Sequence, residues 1–360
     1  MSLSAKLKKN STIKLTATLS ESKVYGKKEM VQTSVPMMNV ALSGSVDGGL
    51  TPGLTVIAGP SKHFKTLFTI LLAAAYLKKY PDAVILFYDN EFGSPSSYFE
   101  SFGIDPSRII HTPFTDIEEL KFDIMNQLKS IERGDRVFIM IDSVGNAASK
   151  KEVEDAEAQK SVGDMSRAKQ LKSVFRMITP HLTIKDIPMV AVNHTYQTQE
   201  MYSKAVVSGG TGIYYSADTI WIVGRQQETE GTGAAKEVTG YNFIINIEKS
   251  RYVKEKSKIP ISVSWETGVA KWSGLFDVAM DGGYIVAPKQ GWYALVDRDT
   301  GEVSDKSFRR GDVEDDGTFW KKMFTTTDFK DFITKTFKVS QVEMLSKDEA
   351  DEFVTMSESE

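Results

Sequence analysis

Eight consecutive residues carry the first recognisable chemistry in this chain: Gly59, Pro60, Ser61, Lys62, His63, Phe64, Lys65 and Thr66. Their spacing is that of GxxxxGK[ST], with Phe64 where the second glycine belongs. In this pattern the N–H groups of a turn and of the next helix's first residues face phosphate oxygens. The lysine neutralises the β and γ phosphates and the hydroxyl ligates Mg²⁺. The loop therefore points to ATP with Mg²⁺, Lys65 serving the phosphates and Thr66 the metal. Phe64 has a corollary. Without glycine's freedom it is expected to keep an ordinary backbone conformation, its ring turned away from the phosphates. A plain strand–turn–helix with a chance Gly and Lys would read the same, so the decision rests on the rest of the chain.

Two apolar runs end in acids. Ala83–Tyr88 runs into Asp89-Asn90-Glu91, and Val137–Ile141 runs into Asp142-Ser143. Ligands of open α/β sheets sit at the carboxyl ends of their strands. Asp142 fits the role of holding Mg²⁺ and its waters, and Glu91 that of a general base that deprotonates the attacking water. A lone strand-end acid is more often a cap or turn residue. Three of them after successive strands, downstream of the phosphate loop, make ATP binding the reading.

These residues must be positioned by an alternation of short β-rich runs and helical stretches. Leu54–Ala58, Ala83–Tyr88, Val137–Ile141, Met189–Val192 and Thr219–Val223 read as strands, apolar but for the strand-forming Thr55 and Thr219, as in a mainly parallel sheet covered on both faces. Between them, Thr66–Lys79, Ile117–Arg133 and Asp164–Leu182 carry helical patterns. This is an α/β fold with βαβ crossovers. Tyr241–Glu248 and Ile259–Trp265 alternate and are expected as an antiparallel extension. The expected organisation is a basic segment over residues 1–30, an ATPase core over 31–281, a small aromatic α+β domain over 282–345 (Tyr284, Trp292, Tyr293, Phe308, Phe319, Trp320) and an acidic tail over 346–360.

Composition narrows the classes. The 360 residues are 41% hydrophobic and 26% charged, and the chain carries no cysteine and four histidines without paired spacing. Disulfides and Cys-based metal or redox centres are excluded, and a zinc centre is disfavoured. No apolar run is long enough to span a bilayer, and the basic N-terminus lacks the apolar stretch of a secretory signal. A protein of the cytoplasm, of the host cell if viral, with no membrane partner is therefore expected. The net charge of −4 conceals polarity: residues 1–30 hold seven Lys against two Glu, and residues 341–360 hold seven acids against Lys347. It therefore decides nothing about polyanions.

Taken together, these segments resemble the RecA-type recombinases, and most closely their T4-like bacteriophage branch. The likeness runs from MMNVALSG…GGLTPGL to the GWY segment near residue 291. GPSKHFKT is similar to the phage-branch loop, which also carries Phe for the second glycine. FYDNEF, with Tyr98 seven residues beyond Glu91, resembles the catalytic-glutamate segment whose tyrosine lies against adenine. NHTYQTQEMYSK and EKSRYVKEKSK also resemble phage-branch text, and His194 stands where the cellular branch has glutamine.

The resemblance implies a RecA-like P-loop ATPase core with a short N-terminal protomer-contact segment and a small C-terminal domain. It implies an ATP-dependent DNA strand-exchange recombinase, a DNA-dependent ATPase that polymerises as a helical filament on single-stranded DNA and pairs it with homologous double-stranded DNA. A recombination mediator and a single-strand-binding protein would be its partners. Val144–Gly163 and Thr195–Gly212 would be two DNA-gripping loops, with Arg167, Lys169, Lys204, Ser208, Gly209, Gly210 and Thr211 on DNA. Free N–H groups in the second loop could face sugar-phosphate. His194 would couple the γ-phosphate to that loop, and Lys249 and Arg251 would reach a neighbour's ATP. From the residues alone, Arg167 and Lys169 read equally as a solvated helix face, and Lys249 and Arg251 as an exposed strand. A hexameric RecA-fold DNA helicase, a small-molecule P-loop kinase and a non-catalytic loader share parts of the pattern.

Overall fold

The computed structural model of the chain describes residues 1–24, 26, 28–158, 166–198, 204–230 and 237–339. The acidic tail expected over 346–360 lies outside them. The strands are β1 Gly53–Ala58, β2 Val84–Asp89, β3 Ile109–Pro113, β4 Val137–Asp142, β5 Pro188–Asn193, β6 Thr195–Gln197, β7 Ala205–Val207, β8 Thr219–Glu230, β9 Glu237–Ser250, β10 Lys258–Ser264, β11 Gly268–Val269, β12 Ile285–Lys289, β13 Trp292–Val296 and β14 Val303–Phe308.

Among the described residues one nine-stranded sheet dominates, in the order β11-β10-β9-β8-β1-β5-β4-β2-β3. From β8 to β3 neighbouring strands are parallel. From β8 to β11 they are antiparallel, as the alternating patterns of Tyr241–Glu248 and Ile259–Trp265 predict. The central strands β1, β4 and β5 are buried at every position, which is why β4 and β5 read as apolar runs and β1 as one broken only by Thr55. Side chains of successive residues leave opposite faces. Leu54, Val56 and Ala58 enter one core, beneath the helices Ile117–Ser130 and Ser166–Lys185, while Ile57 enters the other, with the helices Pro36–Ser43 and Lys65–Lys79.

Register decides where the chemistry falls. Ala58 is level with Asn193, and Asp89 with Asp142. The carboxyl ends of β1, β5, β4 and β2 thus open along one edge of the sheet.

Several details depart from expectation. β3 went unread because Ile109–Pro113 is a polar edge strand with Ile110 half exposed, so Asp142 closes the fourth strand and not the third. The helix expected over Ile117–Arg133 stops at Ser130, where Ile131 turns extended. The first crossover helix begins at Lys65 rather than Thr66. The helix expected over Asp164–Leu182 is described over Ser166–Lys185, its first two expected residues lying outside. Neither long loop is irregular throughout. The first holds a helix, Lys150–Glu157, capped by Ser149, whose hydroxyl accepts from the Glu152 N–H at 3.1 Å. The second begins as an antiparallel hairpin of β6 and β7 and ends in the helix Thr211–Ser216, with residues 199–203 outside.

Towards the C-terminus, β12, β13 and β14 form a separate antiparallel sheet, followed by the helices Gly317–Thr326 and Phe329–Phe337. Trp320, Phe329, Ile333 and Phe337 are buried in the same apolar cluster as Met37 and Phe276. Lys330 pairs with Asp47 at 2.8 Å, and Val253 bridges Lys338. At the other end, the helix Leu3–Asn10 buries no residue, and Leu3, Leu7, Ile13 and Leu15 remain exposed. Among the described residues no helix is long and apolar enough to cross a membrane.

Trp320 is fully buried and its indole N–H donates to the Glu314 carbonyl at 3.0 Å. Trp320→Ala should lower stability by about 3–5 kcal/mol through the cavity and the orphaned carbonyl. A wild-type midpoint in urea-induced unfolding would contradict this.

Candidate nucleotide site and the loops around it

The phosphate loop leaves β1 at Gly59, where a Cβ would lie 2.9 Å from the Val223 carbonyl oxygen, so only glycine fits. Phe64 overturns the expected ordinary backbone: it is left-handed, at φ 55° and ψ 21°, and Lys62 has φ 60°. The loop keeps the geometry for which glycine is usual, at a cost on the order of 1–3 kcal/mol. The Phe64 ring packs on the buried Phe243 of β9, centroids 4.7 Å apart. Partial burial of a large ring against an aromatic partner works against a strain of that size.

Lys65 is buried, its ammonium donating to the Pro60 carbonyl at 2.8 Å. Burial lowers its pKa, while the Glu91 and Asp142 carboxylates oppose the shift. Thr66 donates its hydroxyl to Asp142 Oδ2 at 2.6 Å. Asp142 is only 3% exposed, and its other oxygen, Oδ1, has no hydrogen-bond partner among the described residues. Burial pushes this carboxyl up to about 6, with Glu91 and Asp89 repelling in the same sense and Thr66 opposing. A buried, unpartnered carboxylate oxygen beside a hydroxyl is what a hard cation would complete. Among the described residues no cluster of three or more His, Cys, Asp or Glu could hold a metal. A cation here would therefore fill its shell with phosphate oxygens and water, the habit of Mg²⁺.

Glu91 is brought in by a turn that Asp89 folds. Asp89 Oδ1 accepts from the N–H groups of Glu91 at 3.0 Å and Phe92 at 2.9 Å. Three side chains converge on Glu91 Oε1: Ser143 Oγ at 2.5 Å, Asn146 Nδ2 at 3.0 Å and His194 Nε2 at 3.0 Å. Chiefly the His194 contact, with Ser143 and Lys65 in support, holds the Glu91 carboxyl below the usual carboxylate range against desolvation. His194 directly follows β5 and is stitched to the second loop: its carbonyl accepts from the Ser208 N–H at 2.9 Å, and Asn193 Nδ2 donates to the Ser208 carbonyl at 2.8 Å. The base candidate and the switch candidate are thus one contact.

Ser61–Thr66, Glu91, Asp142, His194 and Tyr98 line one cleft of about 620 Å³, a volume suited to a nucleotide. Tyr98 is half exposed at its rim. Arg225 and Tyr241 also line the cleft. The Arg225 guanidinium lies 4.6 Å over the Tyr241 ring and donates to the Lys62 carbonyl at 3.0 Å. Sequence reasoning missed both, together with Asn146. Asn146 lies four residues past Asp142 and Arg225 two past an apolar run, positions a strand-end search can reach. Tyr241 lies in a neighbouring strand and carries no such signal.

Other expected site residues fall elsewhere. Lys249 is level with Ile220, and Thr219 with Thr55, so Lys249 and Arg251 lie toward the amino end of β1, away from their own phosphate loop. Lys249 donates to the Tyr214 carbonyl at 2.7 Å, and Arg251 pairs with Asp218. Lys169 and Lys204 are exposed. Gly209 and Gly210 have φ of 96° and 73°, and Thr211 opens a helix. The Ser208 N–H, however, is spent on His194. Arg167 turns inward, where its guanidinium donates to the carbonyls of Val144 at 3.0 Å, Gly145 at 2.6 Å and Ala147 at 2.8 Å. It is therefore not the outward cation expected, because three loop carbonyls outcompete solvent for it.

A mostly parallel sheet with a phosphate loop after β1 and acids after β2 and β4 defines a RecA-like α/β protein. In keeping with this, the chain is 24% identical over 284 residues to the protein RecA of Tropheryma whipplei, across 76% of this chain and 61% of that one. Over 345 residues, 95% of this chain and 87% of the relative, it is 49% identical to the recombination and repair protein of Enterobacteria phage T4. Residues 272–333 match the family model for the C-terminal domain of the bacteriophage T4 recombination and repair protein. The chain belongs to this phage recombination and repair (UvsX) family and is a recombinase, a relationship that does not favour the helicase alternative.

The Asp142 carboxyl titrates near 6 in the folded chain against 3.8 when free. The native state therefore holds the proton between these values, and stability falls as pH rises through them. In Mg²⁺- and nucleotide-free protein, the thermal midpoint of Asp142→Asn minus that of wild type should grow from pH 4 to pH 7. A constant difference would show that Asp142 carries no buried-charge penalty.

Proposed function

We propose that ATP binds at Gly59–Thr66 with Mg²⁺ between Thr66 and Asp142, and that its hydrolysis drives release from DNA. The observation that carries this is the unpartnered Asp142 Oδ1 beside the Thr66 hydroxyl, between Lys65 and Glu91. Mg²⁺ would neutralise charge on the β and γ phosphates. Lys65 would exchange the Pro60 carbonyl for phosphate oxygens. Glu91 would orient a water and take its proton as the water oxygen attacks the γ-phosphorus and ADP departs. Tyr98 would lie against the base.

DNA would run along the two loops, held by Lys169, Lys204 and the Gly209–Thr211 backbone. Contacts would be backbone-directed, since homology is tested by base pairing, and affinity would fall steeply with salt. Lys249 and Arg251 lie too far down β8 and β9 to serve their own nucleotide, which supports a role at a neighbour's ATP, as an arginine finger acts in trans. The exposed apolar residues of segment 1–30 support its docking on an adjacent protomer. ATP would then sit between protomers of a helical filament on single-stranded DNA that pairs with homologous duplex. This reading divides the chain into the arm 1–30, core 31–281, small domain 282–345 and tail 346–360. Its further partners would be a recombination mediator and a single-strand-binding protein, in the host cytoplasm.

The test is ATP hydrolysis with and without single-stranded DNA across a protein titration. Cooperative stimulation by DNA is expected in wild type, while Glu91→Gln should bind ATP and DNA yet turn over at least a hundredfold more slowly. Turnover indifferent to DNA would sink the proposal. Lys249→Ala alone should be nearly inactive and should recover partly when mixed with Lys65→Ala, because mixed interfaces pair an intact loop with an intact lysine. Full activity of Lys249→Ala by itself would end the trans assignment.

A further inference from the structure

The Glu91 carboxylate is gripped by donors from two separate stretches of chain, His194 at the entrance to the second loop and Asn146 at the entrance to the first. Asn146 is exposed, yet its position is set tightly. The Arg167 guanidinium donates to Val144, Gly145 and Ala147, bracketing Asn146 on both sides. Arg167 itself opens the helix Ser166–Lys185, beyond the far end of the first loop. Gly145 lets this stem press directly on His194, just past β5: a Cβ there would lie 2.3 Å from His194 Cδ2 and 2.9 Å from the His194 nitrogen. The far end of the first loop, through Arg167, therefore holds the near end, whose Asn146 reaches the Glu91 carboxylate oxygen.

From this geometry we infer that Asn146 is a positioning residue for Glu91 and that Arg167 is the clamp that holds it, so the stem of the first loop is a lever on the hydrolytic site. The inference rests on Glu91 being the base. All three donated bonds fall on Oε1, which leaves Oε2 to accept the proton of the attacking water. Asn146 fixes the rotation that presents it. A change of conformation in the first loop reaches Glu91 through the Arg167 carbonyl contacts and the Asn146 amide. Arg167 is then spent on holding the loop stem and not on a DNA phosphate.

The full-length protein is assayed with single-stranded DNA. Asn146→Ala should lower the DNA-stimulated kcat about tenfold, the scale of losing one hydrogen bond to a charged group. The KM for ATP should stay within twofold, and DNA affinity with its salt dependence should not change. Arg167→Ala should show the same signature, whereas loss of a phosphate contact would weaken DNA binding and reduce the salt slope by about one. Asn146→Gln, which keeps the donor, should recover part of the rate, and Asn146→Asp should be no better than Ala. In a Glu91→Gln background, Asn146→Ala should change the residual rate less than twofold, since the two residues act as one unit. Wild-type kcat in Asn146→Ala, loss of DNA affinity parallel to the rate, or a full tenfold loss in the Glu91→Gln background would each overturn the inference. Glu91→Gln turning over like wild type would instead remove the base assignment on which it stands.

Discussion

Asp142 is a carboxylate driven into the interior with one oxygen satisfied by Thr66 and the other by no group among the described residues. A charge in such a place disfavours folding unless a cation or proton answers it. The protein tolerates it because β4 is central and buried throughout, so the strand carries its last side chain into a site whose walls already exist. Beside this unmet charge stand the Lys65 ammonium, held on a carbonyl of its own loop, and the Thr66 hydroxyl. In the proposed reading, a cation bound there would recover what folding left uncompensated.

Phe64 shows how the same edge bears strain. A phosphate loop needs a left-handed residue before its helix, and glycine supplies it at least steric cost. Here a phenylalanine takes that conformation and is held by Phe243, on a strand nearly two hundred residues away in the chain. The antiparallel half of the sheet, β8 to β10, is thus no mere extension. It supplies the aromatic seat for the loop and, through Arg225 on the Lys62 carbonyl, a second hold on it. At its other end the same pair of strands carries Lys249 and Arg251, committed within the chain to Tyr214 and Asp218. These cations must exchange partners to act elsewhere.

The stems of the two loops are tied to the carboxyl edge of the sheet by short polar contacts as well as by the packing of Val144, Ala147 and Val207. Asn193, Ser208 and His194 bind the second loop's stem, and Arg167 binds the first. Polar contacts of this kind hold direction, exchange readily with water or ligand, and couple distant segments wherever they share an acceptor. Glu91 Oε1 is such an acceptor.

Much of this was legible in the chain as text. Contiguous signals survive reading because local physics produces them: unbroken apolar runs become buried parallel strands, an acid after such a run stands at a strand's carboxyl end, and GPSKHFKT must turn between β1 and a helix. The parallel sheet, the antiparallel addition, the phosphate loop and the placing of Glu91 and Asp142 all came from patterns of this sort. β3 escaped because an edge strand with one wet face carries no strong apolar pattern. The backbone of Phe64, the inward turn of Arg167, and the meeting of Asn146, Ser143 and His194 on one oxygen lay beyond reach of the text. Each depends on a partner distant in sequence, and the choice among solvent, a loop carbonyl and an aromatic ring is made only when folding sets those partners within a few ångströms.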